Sequence, residues 1–262
     1  MFRYVRLWLA FLKASWMADI EYRMNITVRI FGEVAWYLTQ LSVFEVLYLH
    51  TPSISGWDVN AMRVFMGTLF IVDNVYMMIF HENLETFNSL VRKGDLDLYL
   101  VKPINAQFMV SCRKVSLPYL GNFLIVLVYL FWAVPRLSAP VGALELLGFV
   151  FLLLCGLITY YSLRFMFSTL AILVQDAASV QFVWHQLFRL ATRPDPIYPQ
   201  ALRLLVLLFF PVAFMASVPA RILVEGVHLE YLLASPVVAG VLLFCSHLFW
   251  ERSLKFYSSA SS

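Results

Sequence analysis

Apolar residues run along the chain in blocks of about 20, the length a helix needs to cross the ~30 Å hydrocarbon layer of a bilayer. Six such blocks are legible, at 26–49, 61–81, 112–134, 142–161, 165–190 and 231–250. Turn-forming residues separate them: Thr51-Pro52 and Gly56-Trp57, Pro135 and Pro140, and Ser235-Pro236 beside the last block. One hydrophilic island, Glu82 to Pro103, interrupts the series. Within it Leu84, Phe87 and Val91 recur at i, i+3 and i+7, which predicts a short amphipathic helix over 83–93. Arg92 and Lys93 suit the negative end of its dipole, Gly94 suits a left-handed cap, and Pro103 suits the first turn of the next helix. A capped helix with an apolar ridge can seat in a groove on a cytoplasmic partner; the plainer alternative is a solvated return loop.

Two further segments depart from the pattern. On a helical wheel Arg3, Arg6 and Lys13 share one arc, and Tyr4, Trp8, Phe11, Leu12 and Trp16 lie across from them. Residues 1–24 are therefore expected to form a helix lying in the membrane interface, cations toward water and lipid headgroups. Ala201 to Val218 looks like a seventh block, but Pro211 interrupts it. The piece ahead of that proline reaches only about 15 Å at 1.5 Å per residue. A pair of re-entrant half-helices dipping from the outer face over 193–226, hinged at Pro211 and Pro219, fits better than another crossing.

Composition narrows the class. The chain is 61% hydrophobic and 13% charged, where a soluble domain carries roughly 45–50% and about 25%. This is an all-α integral membrane protein, and its 262 residues leave room for one membrane domain. A net charge of +3 spread over the ends of apolar runs gives no nucleic-acid stripe. The basic residues inform topology instead. With the N-terminus inside, the inner face collects Arg3, Arg6, Lys13, Arg23, Arg92, Lys93, Lys102, Arg113, Lys114, Arg164, Arg252 and Lys255. The outer face holds only Arg63, Arg136, Arg189, Arg193, Arg203 and Arg221. Both termini and the island are thereby expected in the cytoplasm.

Ionisable and polar residues inside spans mark candidate chemistry, because they are costly in hydrocarbon. Asp73 lies in the second block, and Arg29 and Glu33, spaced i, i+4 in the first, suit pairing with each other. The fifth block carries a polar stripe of Ser168, Thr169, Gln175, Asp176, Ser179 and Gln186. Such a stripe either lines a water-accessible path or joins helices by hydrogen bonds. Catalytic signatures are missing: there is no GxxxxGK[ST], no HExxH, no GxSxG and no metal-ligand spacing of histidines. The pattern favours transport or scaffolding over catalysis.

The island also carries Arg92, Gly94, Leu96, Asp97, Leu100, Lys102 and Pro103 in the spacing R-x-G-x-L-D-x-x-L-x-[RK]-P. With Gly56-Trp57, the stretch Arg193 to Leu223 and the segment Trp250 to Ser261, this resembles the small six-span permeases of the type-2 ABC exporter superfamily, the viologen-exporter-type branch. The chain departs from that pattern in Arg193-Pro194-Asp195, where the family commonly has Arg-Tyr-Pro. The resemblance implies a multi-pass permease of a bacterial cytoplasmic membrane, paired with an identical or sibling permease above two ATPase subunits. Those subunits would bind ATP and Mg, so this chain needs no cofactor of its own. It also implies that the island contains the coupling helix, with Glu85, Phe87, Val91, Arg92, Lys93, Gly94, Asp95, Asp97, Lys102 and Pro103 as coupling residues. Asp73, Gln175, Asp176, Ser179 and Gln186 are then candidates for the path of an amphiphilic or cationic substrate. The rival is a membrane scaffold or receptor subunit whose island docks some other partner.

Overall fold

Apolar runs this long must satisfy every backbone hydrogen bond internally, and helices do so. The computed structural model describes residues 2–21, 23–174 and 177–257 and contains no strand among them. Twelve α-helices follow in order: α1 (Phe2–Glu21), α2 (Arg23–Tyr48), α3 (Val59–Tyr76), α4 (Glu82–Lys93), α5 (Asp97–Leu100), α6 (Ala106–Cys112), α7 (Pro118–Ala133), α8 (Ala143–Thr169), α9 (Ala177–Ala191), α10 (Gln200–Leu204), α11 (Ala213–Val224) and α12 (Leu229–Leu254). A π-turn, Met77–His81, joins α3 to α4 without a break, so Val59–Lys93 is one rod of 35 residues. The rod is the axis of the molecule: 67% of its apolar stretch is buried, against 17% for α12. The outward apolar surface of α7, α8 and α12 is that of helices solvated by lipid.

Four helices among the described residues are long and apolar enough to cross a membrane, or five if the bent pair Gln200–Phe209 and Ala213–Val224 is one span. Several predicted boundaries change. The second block runs on into the island instead of ending at 81. The third starts at Pro118, in the favoured first helical position, not at 112. Pro103 starts no helix; Asn105 caps α6 by accepting the Phe108 N–H (2.9 Å). α2 has the length, but Arg29, Glu33 and Glu45 interrupt its apolar run. The blocks at 142–161 and 165–190 divide differently. α8 continues through Arg164 to Thr169, a 3-10 turn follows over Leu170–Ile172, and α9 is only 15 residues long. Arg164, which falls between those two blocks in the sequence, lies inside α8 shortly before its end.

The proline-broken region is a bent helix pair. Its limbs are bent by 108°, with Pro211 in the turn between them. Pro219 lies inside α11, which continues through it. The ends of both limbs away from the turn converge on one carboxylate: Asp195 accepts from Arg203 Nε of α10 (2.7 Å) and Arg221 Nη2 of α11 (2.5 Å), and from Ser217 Oγ (2.5 Å). A straight span would hold residues 203 and 221 about 27 Å apart. Arg221 also reaches Tyr231 of α12 and Glu225, and Glu225 accepts Trp57 Nε1 (2.9 Å) from the loop before α3. Deeper in, α11 packs on both α3 and α8. A Cβ added at Gly156 of α8 would stand 2.7 Å from the carbonyl oxygens of Phe214 and Met215, so this approach requires glycine.

Two predictions follow from this packing. Gly156→Ala lowers the thermal unfolding midpoint in detergent, costing about 1–3 kcal/mol, whereas Gly240→Ala, which meets open space, does not; equal midpoints would remove the argument for close approach. Burial alone would raise the Asp195 carboxyl, but the hydrogen bonds and charge of Arg221, with Ser217 and Arg203, outweigh it and hold it below the usual carboxylate range. Its contribution is complete above the unfolded value near ~3.9 and is lost as pH falls through the lower folded value. Asp195→Asn is thus less stable than the parent at neutral pH, by about 3–5 kcal/mol for a broken buried pair, and the difference closes only in strong acid when unfolding is followed against pH.

Candidate functional site

Arg164 sits in the last two turns of α8 with its side chain 1% exposed. A guanidinium there must be paired, since an isolated buried charge is too costly to keep. Its Nη2 donates to Glu85 Oε1 of α4 (2.5 Å) and to Gln181 Oε1 of α9 (2.6 Å), and its Cζ lies 5.5 Å from the centre of the Trp184 ring. One side chain therefore ties the island helix to α8 and α9. His81, in the π-turn, approaches Glu85 at 4.0 Å.

The same guanidinium walls a cavity of about 350 Å³ between α2, α3, α8 and α9. Asp73 lines it, 3% exposed, and accepts from Tyr160 Oη (3.2 Å). Glu33 lines the α2 side and accepts from Tyr119 Oη of α7 (3.4 Å). Tyr76 stacks on Tyr160 at 4.0 Å, and Phe188 of α9 stacks on Tyr160 at 5.2 Å. Glu33, Asp73 and Glu85 thus face a single guanidinium across aromatic walls.

Of the residues proposed for a path, Asp73 lines this cavity. Gln175 and Asp176 lie outside the described residues. Ser179 and Gln186 are exposed on α9, and Gln186 accepts from Arg189 (3.3 Å). Ser168 and Thr169 belong to α8, where both are buried and bond carbonyls, of Leu84 (3.4 Å) and Phe165 (2.8 Å). Of the stripe's described residues, none lines the cavity. Gln181, Trp184 and Phe188, at i, i+3 and i+7, turn toward Arg164 and Tyr160. That aromatic spacing, with Tyr160 and Arg164 at i, i+4, was the available signal.

The island divides in two. Leu84 and Phe87, expected to present a docking ridge, are buried at 1% each, with Phe87 5.8 Å from Trp250. Val91 is half-buried, and Glu85 points inward to Arg164. Gly94 ends the helix in the left-handed region (φ 75°). Asn83 locks the base of the helix to the returning chain, accepting the Lys114 N–H (2.9 Å) and donating to its carbonyl (2.7 Å), while Glu82 pairs with Lys114. The outward surface comes instead from Arg92, Lys93, Lys102 and the turn of α5, with Leu98 63% and Val101 81% exposed. Tyr99 anchors that turn from inside, its ring flanked by Lys102 (5.5 Å) and Arg113 (5.1 Å). Asp95 and Asp97 are half-buried; burial, then these carboxylates, pushes the Tyr257 phenol up. Pro103 offers its carbonyl to Arg3 of α1 (3.3 Å).

No curated protein and no solved structure matches the chain. A family model does: that of the ABC-2 family transporter proteins, over residues 34–261, which takes in the rod, the island, the bent pair and all of the cavity lining but Gly32 and Glu33. That family's members work with an ABC ATPase and are not themselves the catalytic component. The chain belongs to the ABC-2 family of transporter proteins and is a multi-pass membrane permease.

Proposed function

We infer that this permease serves an exporter driven by ATP hydrolysis in two separate cassette subunits, beside a second permease, identical or a sibling. Its cargo is an amphiphilic or cationic small molecule, lipid or peptide, and ATP and Mg are held by the cassettes. α2, α3, α7, α8, α9 and α12 cross the membrane, and the bent pair α10–α11 re-enters from the outer side. Both termini and the island face the cytoplasm of a bacterial cell. The carrying observation is the Arg164 bridge: Glu85, one turn into the island helix, is bonded to a guanidinium that also walls the cavity holding Asp73. A push on α5 by a closing cassette would travel up the rod and through Arg164 to α9. Leu98 and Val101 would seat in the cassette, with Arg92, Lys93 and Lys102 at the rim.

Two outcomes test this. Glu85→Gln leaves the ATPase bound but reduces substrate export about tenfold, the loss expected when a charge-assisted bond of about 1.5–3 kcal/mol is weakened; export at the parent rate in reconstituted vesicles would sink the bridge as a coupling element. Leu98→Asp with Val101→Asp removes the ATPase from the purified complex while the permease keeps its thermal midpoint. Retention of the ATPase by that variant would move the docking surface elsewhere.

A further inference from the structure

The structure reassigns the faces of α1. At roughly 100° per residue, Tyr4, Ser15 and Asp19 share one face, and each bonds the segment that links the island to α7. Tyr4 Oη accepts the Asn105 N–H (3.3 Å), Ser15 Oγ the Val115 N–H (3.1 Å) and Asp19 Oδ2 the Leu117 N–H (2.9 Å). Asp19 thereby places a negative charge at the N-terminus of α7, where the helix dipole favours it. Leu7 and Phe11 pack into the same core as Leu84 and Phe87. Part of the apolar face expected to meet lipid is therefore spent on protein. What remains is a narrower amphipathic strip: Val5 and Leu9, each 52% exposed, with Trp16, and beside them the exposed cations Arg6 and Lys13.

We propose that α1 is a strap by which acidic phospholipids control the pose of the island. Arg6 and Lys13 take lipid phosphates of the leaflet on the island's side, and Val5, Leu9 and Trp16 enter the acyl boundary. The occupant is a lipid surface because the strip pairs apolar side chains with cations along one edge, the arrangement of an interfacial helix. A seated α1 holds residues 103–117 through three amides, and through them the turn of α5. Its effect on ATP hydrolysis rests on the permease reading above; the lipid contact does not.

The amides of Asn105, Val115 and Leu117 report the strap directly. Hydrogen exchange is followed on the full-length permease in nanodiscs of phosphatidylcholine alone or with about one third phosphatidylglycerol. Each cation near an acidic surface strengthens binding about fivefold, so exchange over 103–117 slows roughly five- to tenfold in acidic lipid. The R6E/K13E double variant exchanges at the phosphatidylcholine rate in both, and R6K/K13R behaves as the parent. Identical exchange of the parent in the two lipids overturns the proposal, as does a lipid response that survives R6E/K13E. Protection that tracks protein density instead of lipid charge also overturns it and assigns the strip to a second copy. With the ATPase bound, acidic lipid raises substrate-dependent hydrolysis in the parent and not in R6E/K13E. An unchanged hydrolysis rate despite slowed exchange overturns the control of the island alone, and failure of any ATPase to bind counts against the permease reading.

Discussion

A guanidinium with 1% of its side chain exposed, near the end of a membrane helix, constrains everything packed around it. Glu85 and Gln181, at 2.5 and 2.6 Å, offset the cost of burying that charge, and those partners come from a different helix each. The bridge adds little stability compared with apolar packing, because desolvation offsets most of the Coulomb gain. What it imposes is geometry, since removing one partner strands the other two. At the opposite end Asp195 plays the same part, gathering Arg203, Arg221 and Ser217 and closing the bent pair on α11. Between these two buried clusters α11 lies against α3 and α8, close enough that only glycine fits at 156.

The rod converts that geometry into a route. Asp73 and Glu85 stand on one uninterrupted helical element about 18 Å apart; both line the cavity, and Glu85 is also bonded to the guanidinium that joins α8 and α9. The π-turn between them, Met77–His81, is the place where the rod departs from α-helical register, and such turns recur at functional positions. Local contacts keep the island from swinging independently: Asn83 clasps Lys114, Phe87 faces Trp250, and α1 holds the returning segment. The exposed end of the island, Leu98 and Val101, is the part left for a partner.

Local signals were read well wherever the cause was local. The capped helix ending at Gly94, the bend at Pro211 and the charge-poor composition each depend on one residue type and its neighbours, as did the island motif that pointed to the family later matched over 34–261. What the local pattern does not display depends on contacts between distant residues. The pairing of Arg164 with Glu85 joins residues 79 positions apart. Leu84 and Phe87 were assigned to docking because periodicity reveals an apolar face without revealing which surface covers it; here α8 and α12 do. On α9 the cavity is lined by Trp184, His185 and Phe188, while the stripe's described α9 residues, Ser179 and Gln186, lie elsewhere on that helix. Asp195, noted only as a departure from the family's usual turn, closes the bent pair.

Transmission from the island through Arg164 to the wall of the cavity is followed with spin labels at Phe182 of α9 and Phe244 of α12, both well exposed, in the reconstituted complex with its ATPase. Their separation is measured by double electron–electron resonance without nucleotide and with ATP trapped. The account predicts that ATP shifts the distance in the parent and leaves it unchanged in Arg164→Met. An equal shift in both proteins would contradict it.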